Sequence, residues 1–314
     1  MDAPGHQGEK LADLGASASR VRQPEAVVNS KGVSDMLASI DFDRTISPND
    51  EMLAGNEKHY FGVGLDAIGI IERALISAKK KPGDLETILD FPCGHGRVLR
   101  CLRVAFPKAK ITGCDLNRDG VDYCAARFGS IPVYSSLDPT QIDLPRDHFD
   151  LIWVGSLFTH FDAPRWVPFL TWFRSLLRPS GLLLFSTQGR RAHELITQYH
   201  YGLDDQQCVE IIGEYESSGF GYVDYRNVQD YGLAISEPAW VCRLITSLPE
   251  FRLVGFSEKV WDDHHDVFAC VRDTGWKAPC TRAPDMPGRL TGSIPSNAKP
   301  KTLGERIFRW RRSA

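Results

Sequence analysis

A glycine-containing turn and two carboxylates give this sequence its clearest chemical signal. Asp90 ends an apolar run and is followed closely by Gly94 and Gly96. Glycines lack the side chains that would block a ligand, and the helix expected to begin near Arg97 offers N–H groups to a polar ligand. Asp115 ends the next apolar run, where its carboxylate can accept hydrogens from both hydroxyls of a ribose. The spacing therefore predicts a nucleoside-binding site.

An α/β sheet is needed to position these residues. Short apolar runs alternate with amphipathic stretches, which predicts a largely parallel sheet flanked by helices. Ligands of such sheets bind beyond the carboxyl ends of the strands, where the strand order reverses. Strands are predicted at residues 87–91, 110–114, 131–134, 149–154, 182–187, 251–257 and 267–271. The last two follow each other without a helical pattern between them, so at least one should be antiparallel to the rest.

The remaining segments predict tails and an insertion. Residues 1–30 and 275–314 show no periodicity and are interpreted as a disordered N-terminal tail and a flexible basic C-terminal tail. Residues 31–84 are assigned to an N-terminal helical or cap segment, and residues 85–274 to the main domain. The Tyr- and Gly-rich region 190–249 interrupts the strand–helix alternation, which predicts a cap over the ligand edge of the sheet.

Four segments occur in an order that resembles class I S-adenosylmethionine-dependent methyltransferases. They read ILDFPCGHGRVLR, ITGCDLN, FDLIWVGSLFTHF and LRPSGLLLFSTQG, and the resemblance covers about residues 85–190. It implies a doubly wound, mostly parallel seven-stranded Rossmann-like sheet, an inserted cap, and S-adenosylmethionine as cofactor. Pro92 departs from the family pattern, because it stands where the first glycine is usual and has no N–H to offer.

The same resemblance assigns parts of the cofactor to parts of the chain. The glycine turn would wrap the methionine moiety, the second-strand acid would hold the ribose, and residues after the third strand would flank the adenine. The end of the fourth strand would face the methyl group. The implied cofactor-binding residues are Asp90, Cys93, Gly94, Gly96, Asp115, Leu116, Ser136, Leu137, Gly155 and Ser156.

Other interpretations of the turn remain open. Gly94 and Gly96 could merely form a tight turn, with Asp115 capping the next helix. A nicotinamide dinucleotide is the rival cofactor, but its fingerprint needs glycine or alanine where this chain has Leu99. A catalytically silent cofactor-binding sensor or scaffold of the same fold is the rival from another functional class.

Three residues are candidates for catalysis. Methyl transfer to an alcohol needs a positioned oxygen and a group that takes its proton. His160, just past the fourth strand, is predicted as that base; the alternative is a histidine hydrogen-bonded in the turn before Asp162. His264 and Asp266, directly before the last strand, are the further catalytic candidates.

The run that contains His264 and Asp266 also has an alternative as a metal site. Carboxylate and imidazole are suitable ligands for a divalent metal. Adjacent side chains alternate faces in an extended segment, however, so they rarely converge on one ion. A solvated hairpin is the simpler alternative for Asp262 and Asp263, and no metal is predicted.

The acceptor is expected to be a small molecule. The run at 261–267 and the Tyr- and Gly-rich region weakly resemble methyltransferases of sugar and glycan tailoring, which implies a carbohydrate or other polyhydroxylated acceptor methylated on a hydroxyl, or less favourably on a nitrogen. The 37 Lys and Arg residues against 40 Asp and Glu residues give a formal charge of −3, which provides no electrostatic reason to expect a nucleic acid.

The expected location is the cytoplasm. No apolar run approaches the roughly 20 residues that span a bilayer, and the N-terminus lacks an apolar segment of the signal-peptide type. The eight cysteines include no C-x-x-C pair, which favours reduced thiols. We therefore expect no stable membrane insertion, and the sequence indicates no particular oligomeric state.

Overall fold

The computed structural model describes residues 42–53, 55–226 and 228–277. The tail predicted at 1–30 and most of the tail predicted at 275–314 lie outside these residues. Within them, nine strands are present: β1 Thr87–Asp90, β2 Lys110–Asp115, β3 Ile131–Tyr134, β4 Phe149–Val154, β5 Leu177–Gln188, β6 Phe220–Asp224, β7 Gly232–Ser236, β8 Phe251–Trp261 and β9 His265–Arg272. No helix of the described part has the length and apolar character needed to cross a membrane.

Seven of these strands form one sheet, in the order β3-β2-β1-β4-β5-β9-β8. The pairs from β3 through β5 are parallel, whereas β9 is antiparallel to both of its neighbours. The predicted mostly parallel seven-stranded sheet is therefore confirmed, and β9 is the expected antiparallel strand. The strand order reverses between β1 and β4, where Asp90 is opposite Trp153, and this reversal opens a crevice at the carboxyl ends.

The described residues also form seven α-helices and five 3-10 turns. The helices are α1 Glu57–Ser77, α2 Leu99–Ala105, α3 Arg118–Phe128, α4 Ala163–Leu176, α5 Arg190–Tyr199, α6 Asp205–Ser218 and α7 Pro238–Ser247. The 3-10 turns are Glu51–Leu53, Pro82–Asp84, Pro139–Gln141, Phe158–His160 and His200–Gly202. The helix expected near Arg97 begins at Leu99, because the positive φ angles of Gly94 and Gly96 are incompatible with an α-helix.

Apolar side chains cover both faces of the sheet, so the core has two layers. One face packs against α1, α2 and α3 through residues such as Ile71, Leu99 and Val121. The other packs against α4 and α7, where Trp166 and Trp240 are fully buried. A strand that is buried on both faces of the sheet has a nearly continuous apolar sequence, and β4 is therefore recognisable from the sequence.

The region between β5 and β8 contains α5, α6, the antiparallel pair β6–β7 and α7. Its first part, α5 to β7, has a small apolar core of its own. That core includes Ile196, Cys208, Ile211, Leu233 and Ile235. We call residues 190–236 the cap.

The segment Phe42–Leu53 is fastened to the glycine turn by a buried arginine. Arg100 is 1% exposed, and its guanidinium donates to the carbonyls of Asp43, Thr45 and Gly96. It also donates to the hydroxyl of Tyr60, which in turn donates to Asp50 at 2.5 Å. Because a buried charge needs such partners, this network holds the N-terminal segment against the turn that follows β1.

Candidate functional site

The turn after β1 is held between β2 and α3. The Cys93 N–H donates to the carbonyl of Cys114 on β2 at 3.0 Å. The buried ring of His95 lies 2.9 Å, measured from Nε2, from the carboxylate of Asp119 on α3. The Phe91–Pro92 peptide bond is cis. The contacts of Cys93 with β2 and of His95 with α3 fix the path of the turn at the carboxyl end of β1.

The two glycines of this turn have different surroundings. A Cβ built on Gly94, at φ +51°, would meet no atom within 4 Å, so that position faces open space. A Cβ on Gly96, at φ +83°, would lie 2.6 Å from the Phe128 ring and 3.0 Å from the Cys124 sulfur. Gly96 is therefore required by packing against α3, whereas the open space beside Gly94 leaves room for a ligand next to the backbone.

Asp115 joins the ends of the first two strands. Its Oδ2 accepts the Gly94 N–H at 2.7 Å and its Oδ1 accepts the Asn117 N–H at 2.8 Å. Burial raises the pKa of this carboxyl more than these backbone donors lower it. Each carboxylate oxygen has a further lone pair, so the group can still accept hydrogen bonds from a ribose.

Asp90 provides a buried acceptor beside Asp115. Its side chain is 2% exposed and its Oδ2 has no hydrogen-bond partner. Burial raises its pKa well above the ordinary value, the Asp115 charge adds to this, and the Arg97 guanidinium opposes it. Because buried polar atoms are nearly always hydrogen-bonded, an unpartnered oxygen here fits the donor of a ligand such as an ammonium group.

Arg97 is a functional candidate that the sequence reasoning did not select. The positive charge of its guanidinium opposes the rise in the pKa of Asp90. The guanidinium lies over the Trp261 ring, with its Cζ 5.8 Å from the ring centroid. A guanidinium at this place can bind a ligand carboxylate. Its position directly after the glycine turn was the available signal.

Apolar side chains lie exposed after β2 and β3. Leu116 is 40% exposed and directly follows β2, and Leu137 is 75% exposed and lies three residues after the end of β3. Such exposed apolar groups fit the faces of a flat ring such as adenine. Ser136 lies beside them and accepts the Asp138 N–H. By contrast, Cys93 is buried, and its thiol lies against the Gly94 carbonyl at 3.5 Å.

The two residues after β4, Gly155 and Ser156, have different surroundings, as Gly94 and Gly96 do. A Cβ on Gly155 would lie 2.7 Å from the Trp261 ring and 2.9 Å from the Trp153 Nε1, so protein fills that space. Ser156 has a positive φ of 58°, and its N–H donates to the Ser186 hydroxyl at 2.8 Å. Its own hydroxyl lies 3.4 Å from Nδ1 of His265 on β9.

His160 lies beneath the cap. Its Nδ1 is 2.8 Å from the carbonyl of Gly232, and its ring stacks on Tyr231 with centroids 4.6 Å apart. Burial lowers the pKa of the imidazole to about 4, so it is neutral at physiological pH. Burial raises the pKa of Tyr231, and the charges of Tyr225 and Asp115 add smaller contributions to this rise. The catalytic role of His160 stays a prediction.

His264, which directly precedes β9, and Asp266, which lies in β9, have different neighbours. Asp266 is buried opposite Thr187, and a Cβ on Gly189 would lie 2.0 Å from its Oδ2. Burial raises the pKa of this carboxyl to about 6. His264 instead approaches the Gln188 amide at 3.3 Å and the Tyr201 ring at a centroid distance of 5.2 Å. The structure does not bring the two predicted catalytic residues together.

A divalent-metal site is the alternative role for the run that contains His264 and Asp266. Within residues 42–53, 55–226 and 228–277, no three His, Cys, Asp or Glu side chains come close enough together to hold a metal ion.

Known proteins resemble the segment of the chain that contains Asp90, Gly94 and Asp115. Residues 88–181 match a family model described as a methyltransferase domain. A malonyl-[acyl-carrier protein] O-methyltransferase from Anoxybacillus flavithermus is 32% identical over 127 residues, which cover 40% of this chain and 48% of that protein. A fatty-acid O-methyltransferase from Mycolicibacterium smegmatis is 32% identical over 100 residues, 32% of this chain and 36% of that protein. The chain thus spans half or less of the length of these curated relatives.

A solved structure is similar to this chain at low sequence identity. The S-adenosylmethionine-dependent methyltransferase from Clostridium acetobutylicum has a TM-score of 0.45 and 15% identity, over 71% of this chain and 96% of that chain.

Proposed function

From the premise that residues 88–181 form a methyltransferase domain of the class I S-adenosylmethionine-dependent type, we propose that this protein methylates a hydroxyl oxygen of a small molecule. The observation that carries the proposal is the cradle formed by Asp90, Gly94 and Asp115. It combines a buried acceptor without a partner, an open glycine and a carboxylate fixed by two backbone N–H groups.

The cradle and three neighbouring side chains offer a partner to each part of the cofactor. Asp115 would hold the ribose hydroxyls, Leu116 and Leu137 would flank the adenine, and Asp90 and Arg97 would bind the amino and carboxylate groups. When bound there, S-adenosylmethionine supplies an electrophilic methyl group on sulfur. The chain's own contribution is to fix that group at the crevice between β1 and β4, which lowers the entropic cost of the reaction.

The side of the crevice beyond β4 supports a polar, ring-shaped acceptor. The cap contributes Tyr225 and Tyr231, whose ring centroids are 5.6 Å apart and lie 6.1 Å and 4.6 Å from that of His160, just past β4. Aromatic rings with polar edges suit sugars and other polyhydroxylated rings, which need both a stacking face and hydrogen bonds. A carbohydrate acceptor therefore remains our preferred hypothesis within the hydroxyl class.

Carboxylate methylation is the second candidate. It is favoured by the names of the relatives, which act on malonyl-[acyl-carrier protein] and on fatty acids. A panel of probes separates the two candidates, with release of S-adenosylhomocysteine as the readout. Methyl α-D-glucopyranoside, myo-inositol and catechol represent hydroxyl acceptors, and octanoate and malonyl-CoA represent carboxylates. We expect turnover with at least one hydroxyl probe, and turnover restricted to the carboxylates would overturn the hydroxyl assignment.

Calorimetry with S-adenosylhomocysteine and with NAD⁺ tests the cofactor separately. Binding of the former alone is expected. Affinity for NAD⁺ alone would favour a nicotinamide-dependent enzyme, and binding of S-adenosylhomocysteine without turnover of any probe would favour a silent sensor or scaffold.

A further inference from the structure

Three polar side chains meet where β4, β5 and β9 adjoin. Ser156 follows β4, Gln188 ends β5, and His265 begins β9 directly opposite Gln188. The Ser156 hydroxyl lies 3.4 Å from the His265 Nδ1. Apart from Ser156, which the family pattern places beside the cofactor, no role has been assigned to this group.

The group lies on the acceptor side of the crevice. Asp90 is in register with Trp153, and Ser156 lies just beyond the end of β4 that contains Trp153. A methyl group held between β1 and β4 would therefore lie between Asp90 and Ser156. Gln188 and His265 belong to the next two strands outward, away from Asp115.

The surroundings hold Ser156 and His265 in place. Ser156 keeps a left-handed backbone that non-glycine residues rarely adopt, and the Ser186 hydroxyl secures it. Backbone strain of this kind is retained where the surrounding structure enforces it, often at functional sites. The His265 ring packs at 5.3 Å against Trp261, whose indole N–H is anchored to the carbonyl of Val63 at 2.9 Å.

Gln188 indicates which chemical group binds here. The residue is 6% exposed, its amide nitrogen lies 3.3 Å from the His264 Nε2, and its Oε1 has no hydrogen-bond partner. A buried amide oxygen without a partner needs a donor. A hydroxyl can provide one, whereas an ionised carboxylate has only acceptors.

We infer that Ser156, Gln188 and His265 form the acceptor site, with Gln188 binding a hydroxyl-bearing substrate and Ser156 passing the proton of the reacting hydroxyl to His265. This inference rests on the proposed methyl transfer. The acceptor oxygen bonds to the methyl carbon while the carbon–sulfur bond breaks, and that electron pair stays on sulfur. The hydroxyl proton moves to the Ser156 oxygen, the Ser156 proton moves to Nδ1 of His265, and the ring becomes an imidazolium. Ser156 is the catalytic residue, and His265 acts through it.

The first test needs neither an acceptor nor turnover. Nitrogen-15 NMR of the full chain, at a pH where the ring is neutral, gives the tautomer of His265, assigned by the loss of its signals in His265→Gln. The relay requires the ring proton on Nε2 and an Nδ1 signal that shifts in Ser156→Gly. A neutral ring with its proton on Nδ1 would overturn the relay, whatever the enzyme methylates.

The second test measures kinetics with the probe that is turned over fastest. Ser156→Gly and His265→Gln should each lower kcat about 100-fold or more, and His265→Gln should leave KM and the Kd of S-adenosylhomocysteine nearly unchanged. Ser156→Gly also relieves the backbone strain, so misfolding does not confuse the result. The matched controls are Ser257→Gly on the exposed part of β8 and His200→Gln on the cap surface, which should keep wild-type kcat. Wild-type kcat in both site variants would refute the relay.

Gln188 is tested by a pair of variants. Gln188→Leu removes the acceptor oxygen and should raise KM for a hydroxyl probe about tenfold. Gln188→Glu keeps an acceptor oxygen, so the hydroxyl probe should still be turned over, but its charge would repel a carboxylate. Unchanged KM in Gln188→Leu would remove this residue from the site. Failure of the proposed function would be seen separately, as absent cofactor binding or absent turnover of the wild type.

Discussion

Alanine in place of Gly96 should mainly lower the stability of the protein, whereas alanine in place of Gly94 should mainly weaken cofactor binding. In Gly96→Ala the new methyl group would meet the Phe128 ring at 2.6 Å and the Cys124 sulfur at 3.0 Å. Overpacking of a buried site costs about 1–3 kcal/mol, and the positive φ of 83° adds about 1–2 kcal/mol. We therefore expect the free energy of unfolding to fall by about 2–5 kcal/mol.

In Gly94→Ala the new methyl group would meet no protein atom within 4 Å. Only the cost of the positive φ, about 1–2 kcal/mol, should affect stability. The methyl group would instead occupy the open side of the cradle beside Asp115. We expect the Kd of S-adenosylhomocysteine to rise at least about tenfold, which corresponds to about 1.4 kcal/mol.

Urea denaturation measures the first quantity and calorimetry measures the second. Gly213→Ala in α6 is the matched control, because its methyl group would meet nothing and its helical backbone favours alanine by about 0.5–1 kcal/mol. That variant should be slightly stabilised and bind the cofactor normally. The assignment of separate roles is refuted if Gly94→Ala is the more destabilised variant, or if it keeps wild-type affinity.

Three further changes test the carboxylates and the buried histidine. Asp115→Asn should weaken cofactor binding at least about tenfold by calorimetry, because it replaces an acceptor of ribose hydroxyls; unchanged affinity would exclude Asp115 from the site. The pKa of His160 is about 4 when folded against an ordinary 6.5, so stability should fall as the pH drops through this interval, by about 2–3 kcal/mol, and urea titrations of His160→Gln should lack that loss. The pKa of Asp266 is raised from 3.8 to about 6, so its contribution is lost as the pH rises through that interval; Asp266→Asn should be about 2–3 kcal/mol more stable at neutral pH and keep its turnover. Loss of turnover in a stable Asp266→Asn would instead support the catalytic role predicted from the sequence.

The sheet could be predicted because its strands are local apolar patterns. The predicted bounds of β3 and β4 coincide with the structure, and Asn117 caps α3 by accepting the Gly120 N–H at 3.2 Å. Asp162 begins α4, but its side chain pairs with Arg165 instead of the helix N–H groups. The choice between two short-range partners depends on geometry that a residue pattern does not contain.

The nucleoside side of the site was also accessible to sequence reasoning. Asp90, Gly94 and Asp115 lie on consecutive strand–helix units, so their order along the chain matches their order in space. What could not be foreseen is that a side chain at Gly96 or Gly155 would collide with protein, so packing alone requires glycine at both positions. Their neighbours, Phe128 and Trp261, come from packing between elements distant along the chain.

The acceptor side follows a different rule, because its residues meet only through long-range pairing. Ser156 and His265 are 109 residues apart, and Gln188 reaches His265 only because β9 runs antiparallel to β5. The methyltransferase family match ends at residue 181, before Gln188, the cap and His265. Most of the residues proposed to recognise the acceptor therefore lie outside the segment that matches the family model. The names of the relatives' substrates are therefore weaker evidence about the acceptor of this protein than the Oε1 atom of Gln188. This buried oxygen has no hydrogen-bond partner, so it favours an acceptor that can donate a hydrogen bond.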